Sequence, residues 1–238
     1  VAVVTHQGAP ASPSAVTVAQ RLADLRARIA ASGGDVDAVR IVAVTKGFPA
    51  SAVADAAGVG LLDVGENYAR PLLDKIAALG AAGDGLAADV RWHFLGAVQR
   101  NKVARLAPHV ALWQGVDRVA AGEEIARRAP GATVLVQVNL TGEPGRNGCS
   151  WVDAPATVDA LRRLDLDVAG LMGVASRHRT EAAAQFARLR ELRDALGVRE
   201  LSIGMTDDLD LAVAAGATMV RAGRALFGAR PGAAEVRR

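Results

Sequence analysis

The sequence has few of the features that mark secreted, membrane-spanning or thiolate-metal proteins. Cys149 is the single cysteine among 238 residues, which excludes an intrachain disulfide and any site built from paired thiolates. No apolar run approaches the roughly 20 residues needed to cross a bilayer, and the first residues lack the basic-then-apolar order of a secretion signal. We therefore expect a cytoplasmic protein without a membrane partner.

Charge of one sign is not concentrated anywhere in the chain. The formal net charge is +3, and the arginines are interspersed with glutamates and aspartates instead of forming a basic run, so no nucleic-acid partner is expected. Hydrophobic residues make up 51% of the chain, which is enough to bury a substantial core. The length suits one large α/β domain.

Apolar runs of strand length alternate with segments of helical period along the whole chain. Eight such units favour a single (β/α)8 TIM barrel, whereas a doubly wound open sheet of this length more often has about six strands. The predicted strands are Ile41 to Thr45, Leu61 to Val64, Val90 to Leu95, Val110 to Gln114, Thr133 to Leu140, Val168 to Val174, Leu201 to Ile203 and Thr218 to Arg221.

The barrel is predicted to fill residues 14–230, between a flexible tail at 1–13 and a C-terminal tail at 231–238. An extra helix precedes the first strand, with Val18, Leu22, Leu25 and Ile29 on one face. The Ala/Gly-rich segment from Gly80 to Ala88 is predicted to be a surface loop. No linker or shift in composition indicates a second domain.

Lys46 ends the first predicted strand. In barrels of this kind the reactive groups lie at the carboxyl ends of the strands, where a partly buried amine with a lowered pKa attacks an aldehyde to form a Schiff base. A lysine at a strand end also occurs simply because its ammonium reaches solvent. Position alone leaves both interpretations open.

Two glycine-containing loops follow the seventh and eighth strands, where barrels commonly bind phosphate. Gly204 and Gly223 allow close approach of backbone amides to an anion, and Thr206 offers a hydroxyl. Helix capping by Thr206 or Asp207 is the alternative, and it is compatible with phosphate binding. Arg221 stays protonated, so beside a pyridine nitrogen it would donate to an unprotonated ring, a poor electron sink; an ion pair with a carboxylate is equally open.

Six ordered motifs carry a resemblance to a known family. They are Ala43-Val44-Thr45-Lys46, Gly65-Glu66-Asn67-Tyr68, Trp92-His93-Phe94-Leu95-Gly96 with Gln99, Asn101 and Lys102, Gly170-Leu171-Met172-Gly173, Leu201-Ser202-Ile203-Gly204-Met205-Thr206-Asp207-Asp208, and Met219-Val220-Arg221-Ala222-Gly223. From about Val16 to Arg230 the chain resembles the pyridoxal phosphate (PLP) homeostasis protein family, whose fold is similar to the N-terminal barrel domain of alanine racemase.

The resemblance implies that pyridoxal 5′-phosphate is held covalently, as a Schiff base (aldimine) on Lys46. It places Asn67 near the ring oxygen, Arg221 at the pyridine nitrogen and Ser202 at the phosphate. On the bare sequence, His93 is more typical of a hydrogen-bonded core histidine. The predicted cofactor-binding residues are Lys46, Asn67, His93, Met172, Ser202, Gly204, Thr206, Arg221, Gly223 and Arg224.

Three positions depart from the family pattern. Arg224 replaces a small hydroxyl residue, which leaves open whether the phosphate gains a charged contact or loses a donor. Arg146 replaces a lysine and cannot form an imine. Thr206 replaces a serine and keeps the hydroxyl.

The resemblance implies a protein that stores or buffers PLP, or delivers it to PLP-dependent apoenzymes, without turnover of its own. A barrel that needs no residue from a partner favours a monomer. The alternative is an amino-acid racemase, which needs a second base; Tyr68 is the only tyrosine, and the β-rich second domain of alanine racemase is missing. A Schiff-base aldolase would place its lysine on a middle strand with acidic neighbours.

Overall fold

The structure is a computed structural model that describes residues 13–83 and 85–230, and it contains a closed barrel of eight parallel strands. Each strand pairs with the next, and the eighth pairs with the first. The strands are β1 (Arg40–Val44), β2 (Asp63–Glu66), β3 (Arg91–Phe94), β4 (Val110–Val116), β5 (Thr133–Val138), β6 (Asp167–Gly173), β7 (Glu200–Ser202) and β8 (Met219–Ala222). The predicted (β/α)8 barrel is confirmed.

Helices surround the barrel and connect consecutive strands. They are α1 (Pro13–Ala31), α2 (Ser51–Ala57), α3 (Ala69–Ala82), α4 (Leu86–Asp89), α5 (Arg100–Leu106), α6 (Val119–Arg128), α7 (Ala154–Arg162), α8 (Arg179–Ala195), α9 (Leu209–Ala214) and α10 (Arg224–Phe227). Among the helices of residues 13–83 and 85–230, none is long and apolar enough to cross a membrane.

Helix α1 is the predicted extra helix before the barrel. Its apolar stripe of Val18, Leu22, Leu25 and Ile29 is almost completely buried. The helix packs against α2, α9 and α10, so it covers the seam where β8 meets β1. Spacing of three and four residues produces one continuous apolar face, which is why this helix was predictable.

The predicted loop from Gly80 to Ala88 is wrong in its main part. Helix α3 continues to Ala82, and α4 begins at Leu86. Alanine has the highest helix propensity, so the alanines extend the helix until Gly83, whose φ of +70° ends it. Of the predicted tails, residues 1–12 and 231–238 lie outside the described part of the chain.

Side chains alternate between the barrel interior and the layer beneath the helices. The outer layer holds the large buried rings of Trp92, Trp113 and Phe186. The apolar interior cluster consists of Val42, Leu112, Leu135, Ala169, Met172 and Met219. Because active sites of such barrels lie where the interior opens at the carboxyl ends of the strands, this alternation decides which side chains reach the mouth.

Candidate functional site

Lys46 lies at the barrel mouth, two residues beyond the end of β1. Val42 faces the interior, and the alternation of the strand places Val44 and Lys46 on the same side. The Lys46 side chain is partly buried, and its Nζ lies 5.4 Å from the centroid of the Tyr68 ring. Nζ has no hydrogen-bond partner among residues 13–83 and 85–230. Its amine therefore contacts the Tyr68 ring but has no hydrogen bond or ion pair with the described protein groups.

Lys75 is held very differently, although it lies close to Lys46. Its Nζ donates to the backbone oxygen of Thr45 at 2.7 Å, to Thr45 Oγ1 at 3.1 Å and to Glu66 Oε2 at 2.5 Å. Lys75 and Glu66 are both buried, in the layer between α3 and the barrel wall. This ion pair positions the residue that immediately precedes Lys46, and no motif in the sequence predicts it.

The chain contains three lysines, Lys46, Lys75 and Lys102. Lys102 lies in the first turn of α5, outside the barrel, and Lys75 is locked by Glu66 and Thr45. Lys46 is therefore the lysine that combines an interior-facing position with an unengaged amine.

Arg221 lies inside the barrel, opposite Val42 in the pairing of β8 with β1. Its Nη1 donates to the backbone oxygen of Ser202 at 2.6 Å and to Ser202 Oγ at 2.8 Å, and its Nη2 donates to Gly173 O at 2.8 Å. Burial lowers the pKa of Arg221 to about 10, so the guanidinium remains charged at neutral pH. The Nε–H group has no described acceptor.

A chain of hydrogen bonds continues from Arg221 across the barrel. The Ser202 hydroxyl donates to Gln114 Oε1 at 2.7 Å, and Gln114 Nε2 donates to His93 Nδ1 at 2.8 Å. His93 Nδ1 is therefore an acceptor, and its protonated Nε2 donates to Asp63 Oδ1 at 2.9 Å. All donors point the same way, from the Arg221 cation to the Asp63 anion, which stabilises both charges.

Asp63 anchors the far end of this chain, where β2 begins. Burial alone raises the pKa of the Asp63 carboxyl, but hydrogen bonds from His93 and Arg91 outweigh it and hold the pKa well below its usual range. Arg91 donates through Nε at 3.1 Å and through Nη2 at 2.5 Å. His93 is 2% exposed with partners on both ring nitrogens, the arrangement of a hydrogen-bonded core histidine.

The loop after β7 and the loop after β8 adjoin each other. Gly204 has a φ of +88°, and a Cβ there would lie 2.5 Å from the Ala212 Cβ, so the turn requires glycine. The Arg224 guanidinium donates to Asp207 Oδ2 at 2.7 Å and thereby links the two loops. Arg28 donates to the backbone oxygen of Thr206 at 2.8 Å.

Both positive and negative side chains surround the two loops. The guanidiniums of Arg28, Arg179 and Arg224 all donate hydrogen bonds to residues 206–210. Arg224 contacts the loop after β7 through its bond to Asp207. The predicted phosphate contact from Ser202 involves a hydroxyl that already serves Gln114 and Arg221 in the interior. The predicted phosphate contacts stay predictions.

The remaining predicted site residues line the mouth from other strands. Asn67 follows β2, and its backbone N–H donates to Glu66 Oε1 at 2.8 Å. A Cβ at Gly96 would lie 2.0 Å from the Asn67 oxygen, so this glycine lets the two loops meet. Met172 is buried in the interior beside Gln137. Within residues 13–83 and 85–230, no cluster of acidic, histidine and cysteine side chains could hold a metal ion.

Comparisons with known proteins find relatives over nearly the whole chain. The alanine racemase N-terminal domain family matches residues 19–231. A pyridoxal phosphate homeostasis protein of Pseudomonas aeruginosa is 40% identical over 227 residues, covering 90% of this chain and 96% of that protein. The protein of the same name from Escherichia coli is 33% identical over 233 residues, covering 90% and 97%.

Solved structures show the same fold. PipY of Synechococcus elongatus, solved with PLP bound, has a TM-score of 0.73 at 31% identity, covering 89% of this chain and 100% of its own. An alanine racemase of Clostridium difficile has a TM-score of 0.65 at 14% identity, covering 92% of this chain but 58% of the racemase. At this low identity, the similarity to the racemase shows a shared fold only.

Proposed function

The chain belongs to the alanine racemase N-terminal domain family and, within it, to the pyridoxal phosphate homeostasis proteins, and on this premise we propose that it binds pyridoxal 5′-phosphate covalently through Lys46. We propose that the protein stores or buffers this cofactor, or hands it over to PLP-dependent apoenzymes. The observation that carries the proposal is the Lys46 amine at the barrel mouth, which has no hydrogen-bond partner among the described residues. Of the other two lysines, Lys75 is held by Glu66, and Lys102 lies on the outer helix α5.

The residues at the mouth fit this cofactor. When bound, PLP supplies an aldehyde that condenses with an amine and a pyridine ring that withdraws electrons. Lys46 offers the amine, and the glycine turn at Gly204, held beside Arg224 and Arg28, offers a partly cationic place for a phosphate. Asn67 lies near the opening from the side of β2.

Arg221 supports a binding role more than a catalytic one. Its Nε–H group remains as the donor for a pyridine nitrogen, while Nη1 and Nη2 are held by Ser202 and Gly173. A guanidinium with a pKa near 10 does not give up its proton, so the ring nitrogen stays unprotonated and the ring is a poor sink for a carbanion. The chain of hydrogen bonds to Asp63 fixes this orientation.

A racemase needs a second base across the substrate from the lysine. Tyr68 is the only tyrosine in the chain, and its ring lies directly beside the Lys46 ammonium. We propose a monomer as the working unit. The single cysteine, Cys149, is buried, which fits our proposal of a cytoplasmic location.

The first test is the visible absorption of the purified protein after incubation with PLP and removal of the excess. We expect a band of the covalently bound cofactor in the unmodified chain and in Lys102→Ala, and none in Lys46→Ala. Retention of the band in Lys46→Ala would overturn the assignment.

The second test separates a carrier from an enzyme. The PLP-loaded protein is mixed with an apoenzyme that requires PLP, and the recovery of that enzyme's activity is followed over time. A carrier transfers the cofactor at a measurable rate. Conversely, sustained conversion of L-alanine to D-alanine by the loaded protein would establish a racemase instead.

A further inference from the structure

A groove of about 350 Å³ lies between α5 and α6, on the outside of the barrel. Its lining residues are Arg100, Asn101, Ala104, Glu124, Arg127 and Arg128. None of the residues assigned above to the cofactor belongs to this lining. Three of the lining side chains are cations and one is an anion, so the groove carries an excess of positive charge. Its volume is large enough for a small molecule.

Glu124 is the acid of the groove, and its carboxylate is buried and fully bonded. Arg127 donates to it through Nε at 3.1 Å and through Nη2 at 2.5 Å, and Arg128 donates through Nε at 3.1 Å. These bonds occupy the lone pairs of both carboxylate oxygens. Glu124 therefore fixes the position of two guanidiniums, and it has no acceptor left for a third.

The arginines keep donors that face no protein acceptor. Among residues 13–83 and 85–230, nothing accepts from Arg127 Nη1 or from the terminal nitrogens of Arg128, and Arg100 has no hydrogen bond or ion pair at all. All three side chains are exposed. By contrast, Arg162 on α7 shares Asp159 with no other arginine. The groove thus presents cations that its own acid does not neutralise.

Asn101 adds an uncharged hydrogen-bonding group on α5, beside Arg100. It belongs to one of the six sequence motifs, yet it lies exposed on an outer helix, away from the cofactor residues. Its side-chain amide has no hydrogen bond with any other described residue. Because an amide has two N–H donors, Asn101 can donate to the same anion that Arg100 binds.

A ligand for this groove has to bring negative charge to both helices. Like charges gathered in a concave surface repel one another, and a bound anion removes that repulsion. Guanidiniums bind phosphate oxygens with paired N–H donors, and Glu124 already holds two of them in place. One phosphate group would meet Arg127 and Arg128 on α6. A second, joined to it, would meet Arg100 and Asn101 on α5.

We propose that this groove binds a diphosphate group, either as the free ion or as part of an organic diphosphate. The proposal goes beyond PLP binding, because PLP carries a single phosphate and its lysine lies at the barrel mouth. It assigns a ligand to charged residues that neither the fold nor the cofactor site requires.

The test is calorimetric titration of the full chain after incubation with PLP, so that the barrel mouth is not free to bind the probes. Inorganic diphosphate is expected to bind saturably, and at least tenfold more tightly than inorganic phosphate, which engages one helix only. Adenosine diphosphate is titrated in parallel. Tighter binding than that of inorganic diphosphate identifies an organic diphosphate as the ligand, and equal or weaker binding identifies the free ion. This comparison needs no substitution and therefore holds even if a variant fails to fold.

Substitutions then assign the two sides of the groove. Arg100→Gln removes the cation of α5, and Arg128→Gln removes one cation of α6; each is expected to raise the Kd for inorganic diphosphate at least tenfold. Arg162→Gln is the matched control, because the Arg162 side chain is 43% exposed, that of Arg128 is 41% exposed, and each is paired with an acid. The control is expected to leave the Kd unchanged.

Absence of saturable binding would overturn the proposal, and so would equal Kd values for phosphate and diphosphate. An effect of Arg162→Gln as large as that of Arg128→Gln would show a general attraction of anions to the positive surface, which would overturn it as well. None of these outcomes changes the absorption band expected from Lys46. A failure here is therefore distinguishable from a failure of the proposed function.

Discussion

Removing the Lys75 ammonium is expected to destabilise the protein strongly. Lys75→Met leaves the Glu66 carboxylate buried without its cation, and it also leaves the Thr45 backbone oxygen without its donor. The side chain of Lys75 is 7% exposed and that of Glu66 is fully buried, so water cannot replace the lost partner. Breaking a buried pair from one side costs about 3–5 kcal/mol of unfolding free energy.

The assay is urea unfolding together with thermal unfolding. For a chain of this size, a loss of 3–5 kcal/mol corresponds to a drop in Tm of roughly 6–20 °C. Lys102→Met, on the outer helix α5, is the matched control, and we expect it to change the unfolding free energy by less than about 0.5 kcal/mol.

The double variant Glu66→Leu with Lys75→Met tests whether the loss of stability comes from the unpaired charge or from altered packing. Removing both charges leaves no unpaired ion, so the double variant is expected to lose less stability than Lys75→Met alone. The reasoning is refuted if Lys75→Met costs under about 1 kcal/mol, or if the double variant is no more stable than Lys75→Met alone.

Three further outcomes follow from the interior of the barrel. Gln114→Leu leaves His93 Nδ1 without its donor and the Ser202 hydroxyl without its acceptor, and it should lower the unfolding free energy in urea by roughly 2–4 kcal/mol; an unchanged value would contradict the hydrogen-bond chain. The folded-state pKa of Asp63 is depressed, so its stabilisation is present above about pH 4 and is lost as the pH falls below that; the stability gap between Asp63→Asn and the unmodified chain should shrink between pH 7 and pH 3, and a constant gap would refute this. Burial raises the pKa of Cys149 to about 11, so a thiol reagent at pH 8 should react with it only after urea unfolding, and fast reaction of the folded protein would show that the thiol is accessible.

The barrel was predictable because its signals are local. Apolar runs of strand length recur eight times, and the four residues of the α1 stripe follow helical spacing. The ends of elements were less accurate. Strand β4 continues to Val116 instead of ending at Gln114, because Gly115 allows the strand to approach the Gly96 backbone, where a Cβ would lie 2.1 Å from the Gly96 oxygen.

The polar contacts inside the barrel were not predictable, because each depends on the register of several strands. His93, Gln114 and Ser202 are distant in sequence, and only the closed order of β3, β4 and β7 with inward side chains joins them. The Lys75–Glu66 pair likewise depends on how α3 packs on the barrel wall. No spacing rule connects such residues along the chain.

Lys46 was predicted from its position at a strand end, from the two facing glycine loops and from the family motifs. The geometry adds a physical contrast: the Lys46 amine is unengaged, whereas the Lys75 amine has three oxygen partners. The sequence could not show this contrast, since Glu66 and Thr45, the partners of Lys75, lie 9 and 30 residues away along the chain.

The central claim is tested most directly by trapping the cofactor on its lysine. The PLP-loaded protein is reduced with borohydride and digested, and the peptide that carries the pyridoxyl group is identified by mass spectrometry. The account predicts the label on Lys46, and none on the locked Lys75. A label on Lys75 or Lys102, with Lys46 unmodified, would contradict it.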